Sequence, residues 1–129
     1  MIGSAGVFIY LKGSRTGIDS IAVLPLENRS NDPDADYISD GVTESINNSL
    51  ARLPILKVIP HSVASHYKGK AIDFQKVGDE LGVQTVLTGD VRQRGDDLTI
   101  NVELDDIRNG KQLWGEQYNR KVADRKSVV

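Results

Sequence analysis

Three carboxylates alternate along the chain at Asp32, Asp34 and Asp36, a spacing that could bind calcium. An EF-hand loop has oxygen ligands at its first, third and fifth positions, but it also needs glycine at the sixth and glutamate at the twelfth. Those two positions hold Tyr37 and Thr43. Loop solvation and capping of a following helix explain the carboxylates better, so we expect no metal ion and no cofactor.

A basic turn at Tyr67, Lys68, Gly69 and Lys70 could hold a small anion or a nucleotide phosphate. Lysines beside a flexible glycine are the residue types that contact phosphate oxygens in such turns. The Walker pattern, which would specify a nucleotide, is absent around them. The alternative is a solvated turn that leads into a helix.

An aromatic and charged segment near the end of the chain could bind a protein partner. Trp, Tyr and Arg are the side chains most often found at the energetic centre of protein interfaces. In a strand, Trp114, Glu116, Tyr118 and Arg120 would share one face, and Leu113 would point the other way. Packing of Trp114 in the core is the competing interpretation, and Tyr118 is left open. The candidate partner-binding residues are Leu113, Trp114, Glu116, Gln117, Tyr118 and Arg120.

The overall composition is that of an ordinary globular domain. Of the 129 residues 39% are hydrophobic and 26% charged, and the formal net charge is -2. A dedicated nucleic-acid-binding protein usually has a basic excess, so we expect no nucleic-acid partner. Cysteine is absent, which excludes disulfides and thiolate metal sites. We find no cluster of acid, base and nucleophile, and we therefore expect no enzyme activity.

The elements that position these segments follow the order β-α-β-α-β-β-β. The run Ile21–Leu26 is continuously apolar, as expected for a strand covered on both faces and ended by Pro25. From Val83 to Arg120 three strands are separated by turns at Gly95–Asp97 and Asn109-Gly110. Strict alternation over residues 98–105 indicates a half-buried middle strand. We predict a single α/β domain with helices packed on a mixed sheet.

Two helices are predicted between the early strands. The first buries Ile38, Val42, Ile46, Leu50 and Leu53 on one face and stops at Pro54. Its candidate caps are Asp34, Asp36 and Ser39. The second runs from an N-cap at Asp73 to Leu81, with Gly82 as its stop signal. Its predicted inner face consists of Phe74, Val77, Gly78 and Leu81.

The two ends of the chain are predicted to lie outside the domain. Residues 1–19 form an apolar leader and a linker, residues 20–124 the domain, and residues 125–129 a basic tail. Ten small or apolar residues from Ile2 to Leu11 are too few to span a bilayer, which needs about 20. Two interpretations remain open from the residues alone: the end of a membrane helix, or an apolar leader packed on the domain.

Several blocks of the chain, taken in order, resemble the TolB-like N-terminal module of bacterial membrane-anchored signalling proteins. In that family the module accompanies a protein-kinase, adenylate-cyclase or winged-helix domain and often precedes tetratricopeptide repeats. The resemblance covers roughly Ser20 to Asp124. The chain departs from the family at Pro60 and His61, where Ala-Arg is usual. The matching blocks are Ala22–Pro25, Asp40–Glu44, Tyr67–Lys70, Leu81–Val83, Leu87-x-Gly89 and Leu113–Arg120.

The resemblance implies a non-enzymatic domain with a TolB N-terminal-like, anticodon-binding-domain-like fold. It implies an interaction or sensory role with a protein or a cell-envelope component as partner. It also implies a position outside the cytoplasm of a bacterium, next to an N-terminal membrane helix of which residues 1–12 are the remnant. Family members usually continue into a helix beyond Asp124, so the chain is predicted to end inside one. The alternative function is a small-anion or nucleotide sensor that uses Lys68-Gly69-Lys70.

Overall fold

The computed structural model describes residues 18–121. Six strands and three α-helices follow one another, with two 3-10 turns at Pro33–Ala35 and Ser65–Tyr67. The strands are β1 (Ser20–Val23), β2 (Glu27–Asn28), β3 (Lys57–Val58), β4 (Thr85–Arg94), β5 (Asp97–Asp106) and β6 (Lys111–Lys121). The helices are α1 (Asp36–Leu50), α2 (His61–Ala64) and α3 (Phe74–Leu81). The predicted α/β class and element order are confirmed, with the short β2 and α2 added.

The sheet is mixed and has the strand order β3-β1-β4-β5-β6. β1 pairs in parallel with β3 and with the first half of β4, and β2 pairs in parallel with the second half of β4. β4, β5 and β6 form an antiparallel meander. Pro25 has no N–H for a ladder and lies between β1 and β2, where the parallel pairing is interrupted. The sequence predicts this break correctly.

α1 covers one face of the sheet. Its apolar residues Ile38, Val42, Ile46 and Leu50 are buried at the spacing expected for one side of a helix. They pack with apolar residues of the strands, and we call this group the α1 cluster. It consists of Ile21, Val23, Leu26, Ala35, Ile38, Val42, Ile46, Leu50, Leu56, Leu87, Val91, Leu98, Ile100, Val102 and Leu104.

The start of α1 differs from the prediction. None of the predicted caps Asp34, Asp36 and Ser39 caps the helix with its side chain. Asp32 instead accepts a hydrogen bond from the N–H of Asp34 and begins a 3-10 turn that continues into α1. The N-terminus of α1 thus continues from a 3-10 turn. The N–H groups at the start of the helix bond to acceptors in that turn, one turn earlier than a side-chain cap on α1 itself would place them.

α2 and α3 cover part of the opposite face. Their cluster, which we call the α3 cluster, is smaller and consists of Ala22, Leu24, Ile59, Ala64, Val77, Val83 and Val86. α3 begins and ends as predicted, because Asp73 accepts the Lys76 N–H and Gly82 adopts a left-handed φ of 67°. Phe74 is an exception: it is 40% exposed rather than on the inner face.

Within residues 18–121 no helix is long and apolar enough to cross a bilayer. The predicted membrane-helix remnant and the C-terminal tail fall in residues 1–17 and 122–129, outside the part described. The domain limits at residues 20 and 124 therefore stay predictions.

Candidate functional site

β6 forms one edge of the sheet. Among the described strands it pairs only with β5, and it is 11 residues long. It contains no proline, so every residue has an N–H to donate. β3, at the opposite edge, has only two residues. β6 is therefore a long edge strand, and it contains all six candidate partner-binding residues.

The pairing register shows which backbone groups of β6 are open. Neighbouring residues of an antiparallel strand alternate in the side to which their backbone groups point. The carbonyl of Asn101 faces β4, where a Cβ on Gly89 would meet it, and the carbonyl of Val102 faces β6 near Gly115. Because Val102 pairs with Glu116 and Asn101 with Gln117, the Gln117 N–H and C=O point away from β5.

A β-bulge near the start of β6 corrects the predicted orientation of Leu113. Leu104 pairs with Trp114 and Asp105 with Gln112, so the ladder passes over Leu113. Leu113 and Trp114 consequently both pack against the α1 cluster instead of pointing to opposite sides. Trp114 is only half-buried, so it contributes to the core and keeps an exposed part.

Beyond the bulge the predicted shared face is present. The Tyr118 hydroxyl donates to Glu116 Oε2 at 2.7 Å, and the Arg120 guanidinium lies 6.0 Å from the centre of the Tyr118 ring. Burial, and then the hydrogen bond to Glu116, raise the pKa of Tyr118. The phenol therefore stays protonated at neutral pH and holds Glu116 in place. Tyr118 also packs against the α1 cluster.

The basic turn at residues 67–70 has acidic partners. Lys68 Nζ lies 2.7 Å from Asp36 and 2.8 Å from Asp40, both on α1. Hydrogen bonds to Asp36 and then Asp40 raise the pKa of Lys68. The Tyr67 hydroxyl donates to Glu80 at 2.6 Å. An anion bound at Lys68 would have to compete with two carboxylates, so this lysine joins the turn to α1.

Gly69 has a φ of 75°, which only glycine adopts without strain. Lys70 is exposed and borders a shallow hollow next to β2 and β4. Among the described residues, the ion pairs involve Lys68 and not Lys70. Lys70 is therefore the lysine of the predicted anion site that is available to a ligand.

A groove that the sequence does not predict lies on the sheet face that carries α3. It has a volume of about 820 Å³ and is lined by residues of β4, β5 and β6 together with Arg29. Its side chains are polar or charged, with Leu98 as the exception. The sequence signal for this groove is the alternation of Asp90, Arg92 and Arg94, which places them on one face of a strand. Whether a helix covers that face depends on the tertiary structure.

The carboxylates of the calcium hypothesis have other roles. Asp32 caps the 3-10 turn and Asp36 pairs with Lys68. Over residues 18–121 no group of three or more His, Asp or Glu side chains is arranged to hold a metal ion.

Solved structures share this fold. The lipoprotein GNA1162 from Neisseria meningitidis is 25% identical, with 79% of each chain covered and a TM-score of 0.65. The C-terminal domain of LpoB from Escherichia coli is 16% identical, covers 92% of this chain and 94% of that chain, and has a TM-score of 0.68. TolB from Acinetobacter baumannii is 18% identical over 86% of this chain and 25% of that chain, with a TM-score of 0.60. The TolB-like resemblance thus holds for the fold.

A sequence relative is much longer than this chain. The protein named "Putative adenylate cyclase 3" of Rhizobium meliloti (strain 1021) is 44% identical over 105 residues, which are 81% of this chain. The matched part is 18% of the relative, so the chain spans about a fifth of its length.

A family match covers all of the described residues. Residues 17–126 match the family described as the second domain of HilA/YgeH-like transcriptional regulators. The match includes the three helices and all six strands, among them the edge strand β6. The chain therefore belongs to the HilA/YgeH-like transcriptional regulator second-domain family.

Proposed function

We propose that this domain is a non-catalytic protein-interaction module of a larger bacterial signalling protein, and that it binds its partner along β6. The observation that carries the proposal is the open edge from Trp114 to Lys121, with the Gln117 backbone N–H and C=O directed outward. An extended peptide that adds to such an edge gains main-chain hydrogen bonds at alternate residues. Natural proteins usually block long edge strands against pairing, so a long edge strand that is open is a candidate surface for a partner.

The side chains of β6 supply selectivity in this proposal. Leu113 and Trp114 are anchored in the α1 cluster and form a fixed apolar end. Glu116 and Arg120 flank Tyr118 on one face, while Gln117 borders the groove of β4, β5 and β6 on the other. A partner strand would therefore meet opposite charges on one side and polar groups on the other.

The protein around this domain is proposed to be a signalling protein with a separate output domain. Two comparisons support this proposal: a family of transcriptional regulators and a relative named as an adenylate cyclase. A module that occurs beside different output domains fits a sensory or interaction role better than a catalytic one, because the output domains would supply the activity. The only support for a serine/threonine kinase as the output domain is the TolB-like resemblance.

We also propose that the domain lies outside the cytoplasm, at the cell envelope, next to an N-terminal membrane helix. The naming of GNA1162 as a lipoprotein, at 25% identity, supports the envelope position. The proposed helix would include residues 1–12, which lie outside the described part of the chain.

The alternative function, a small-anion or nucleotide sensor at Lys68-Gly69-Lys70, has weaker support. Asp36 and Asp40 already neutralise Lys68. A ligand that binds only the native state raises its apparent stability. A rise in melting temperature with phosphate or ATP that disappears in Lys70→Ala, but not in Lys57→Ala, would favour the sensor.

The test of the interaction proposal is Gln117→Pro. Proline removes an outward N–H and leaves the β5 ladder intact, because Gln117 does not bond to β5. Affinity capture from envelope extracts of the source bacterium, quantified by mass spectrometry, should lose the proteins that the original chain retains. Gln117→Ala is the matched control, since it removes the same side chain and keeps the N–H.

Both variants should keep the circular dichroism spectrum of the original chain. Equal capture by Gln117→Pro and Gln117→Ala, with both folded, would refute strand addition at β6.

A further inference from the structure

Half of one sheet face has no helix over it. Residues Val86, Thr88, Asp90, Arg92 and Arg94 share this face of β4, because they alternate along a strand without a bulge. α2 and α3 cover the Val86 end through the α3 cluster. They are four and eight residues long, and the groove lies beyond them at the other end.

The groove is basic although the whole chain is acidic. It is lined by five basic side chains and two carboxylates, which gives it a formal charge of +3, whereas the chain has -2. The basic residues are Arg29, Arg92, Arg94, Arg120 and Lys121. The formal charges of the groove and of the whole chain have opposite signs, so the positive charge is a local property of the groove.

Arg92 and Arg94 are the available cations of the groove, since the Arg120 guanidinium lies over the Tyr118 ring. Asp90 accepts from Asn101 and pairs with Arg29 Nε at 3.2 Å, and Asp97 pairs with Lys121 at 2.5 Å. Within residues 18–121 no carboxylate lies within ion-pair distance of Arg92 or Arg94, and both are exposed.

The spacing of these two arginines fits an extended peptide. Residues two apart on a strand lie about 7 Å from each other, and the same distance separates alternate side chains of an extended ligand. Arginine binds a carboxylate through two parallel N–H bonds. Thr99, Asn101 and Gln117 line the same groove and can donate to or accept from a peptide backbone.

A nucleic-acid strand fits the groove less well. Proteins that bind single strands stack bases on aromatic side chains, and the lining residues include no Trp, Tyr, Phe or His.

We propose that this basic groove binds an extended acidic peptide segment whose alternate carboxylates pair with Arg92 and Arg94. The peptide lies over the sheet face, so this site is independent of strand addition at the β6 edge. The ligand class is a polypeptide stretch with Asp or Glu at every second position, flanked by small or polar residues.

The experiment measures fluorescence anisotropy of a labelled peptide that alternates Glu and Thr, against one that alternates Gln and Thr. The full chain should bind the Glu peptide in a salt-dependent way and bind the Gln peptide at least about tenfold more weakly. Arg92→Glu/Arg94→Glu should lower the affinity for the Glu peptide by at least about tenfold. Arg92→Gln/Arg94→Gln should also weaken binding, but less.

Arg52→Glu/Lys57→Glu is the matched control. It changes the net charge equally at exposed residues outside the groove, and it should keep the affinity. Absence of binding to the original chain, or an equal loss in this control, would overturn the proposal.

Two further outcomes would also overturn it. Tighter binding of oligothymidylate than of the Glu peptide would assign the groove to nucleic acid. An equal loss in Gln117→Pro, with the affinity kept in Gln117→Ala, would place the peptide on the β6 edge instead, because only the proline removes the outward N–H.

Discussion

Gly89 lies where β4 and β5 come too close for a side chain. A Cβ at this position would be 2.0 Å from the carbonyl oxygen of Asn101. That oxygen belongs to the β5 backbone, which cannot move away without disturbing the ladder. The Leu87-x-Gly89 block of the family resemblance therefore has a packing reason and not a chemical one.

We predict that Gly89→Ala lowers the free energy of unfolding by about 1–3 kcal/mol, because the added methyl group forces the two strands apart. Urea denaturation measures this change through the transition midpoint. The matched control is Gly41→Ala in α1, where nothing lies within 4 Å of an added Cβ. It should raise the free energy of unfolding by about 0.5–1 kcal/mol, since alanine is the better helix former. A Gly89→Ala protein as stable as the original would contradict the close approach.

Asp105 is a buried carboxyl group on β5. It is 7% exposed, and its Oδ2 has no hydrogen-bond partner. Burial, followed by a hydrogen bond and the charge of nearby Glu103, raises the pKa of Asp105 to about 7. An acid whose pKa is raised in the folded state binds its proton more tightly there than in the unfolded chain.

We predict that stability falls as the pH rises from about 4 to about 7 because of this group. The unfolded carboxyl loses its proton near its model value of 3.8, while the folded one holds it up to about 7. The contribution is full below the lower value and lost above the higher one. Asp105→Asn cannot ionise, so its stability relative to the original chain should increase through this window in thermal melts. A constant difference between the two proteins from pH 4 to 8 would be the contrary result.

At the level of the elements, the residues of β6 alternate between two kinds. The backbone groups of one kind bond to β5, and those of the other kind point away from the sheet. Glu116 pairs with Val102 through backbone bonds, and Gln117 directs its backbone groups outward. The two positions are adjacent and both exposed, so they form a matched pair.

We predict that Glu116→Pro lowers the free energy of unfolding by about 1–3 kcal/mol, because it removes a ladder bond to β5 and leaves the Val102 carbonyl without its donor. Gln117→Pro should cost about 1 kcal/mol or less, since only the backbone angle is restricted. Chemical denaturation of both proteins checks the register. Equal destabilisation by the two prolines would mean that Gln117 also bonds to β5.

At the level of the whole molecule, a single sheet joins two hydrophobic clusters. The α1 cluster and the α3 cluster lie on opposite faces, and β1 contributes to both through Ile21, Ala22 and Val23. The only tryptophan, Trp114, packs against the α1 cluster. Its fluorescence therefore reports one side of the sheet.

We predict that Val77→Ala, in the α3 cluster, lowers the unfolding midpoint by the same amount when measured by Trp114 fluorescence and by far-ultraviolet circular dichroism. The loss of buried methyl groups should cost about 1–3 kcal/mol. Coincident transitions are expected because both clusters share the central strands. A fluorescence midpoint that stays constant while the dichroism midpoint falls would show two independent units.

The sequence by itself determines the elements and their order. Alternation in β5, the helical spacing in α1, the Asp73 cap and the Gly82 stop are signals that act over a few residues. They can be recognised because backbone geometry and local hydrogen bonding decide these features. The family resemblance includes the block Leu113–Arg120, and the structure places the strand that contains it at an edge of the sheet.

The tertiary structure decides which residues become neighbours. Lys68 reaches Asp36 and Asp40 across about 30 positions of the chain, and the bulge turns Leu113 onto the α1 cluster. The basic groove exists because α2 and α3 are too short to cover the far half of β4, β5 and β6. These features depend on strand order, register and helix placement, which are set by packing over the whole molecule and leave only a weak trace in any one segment.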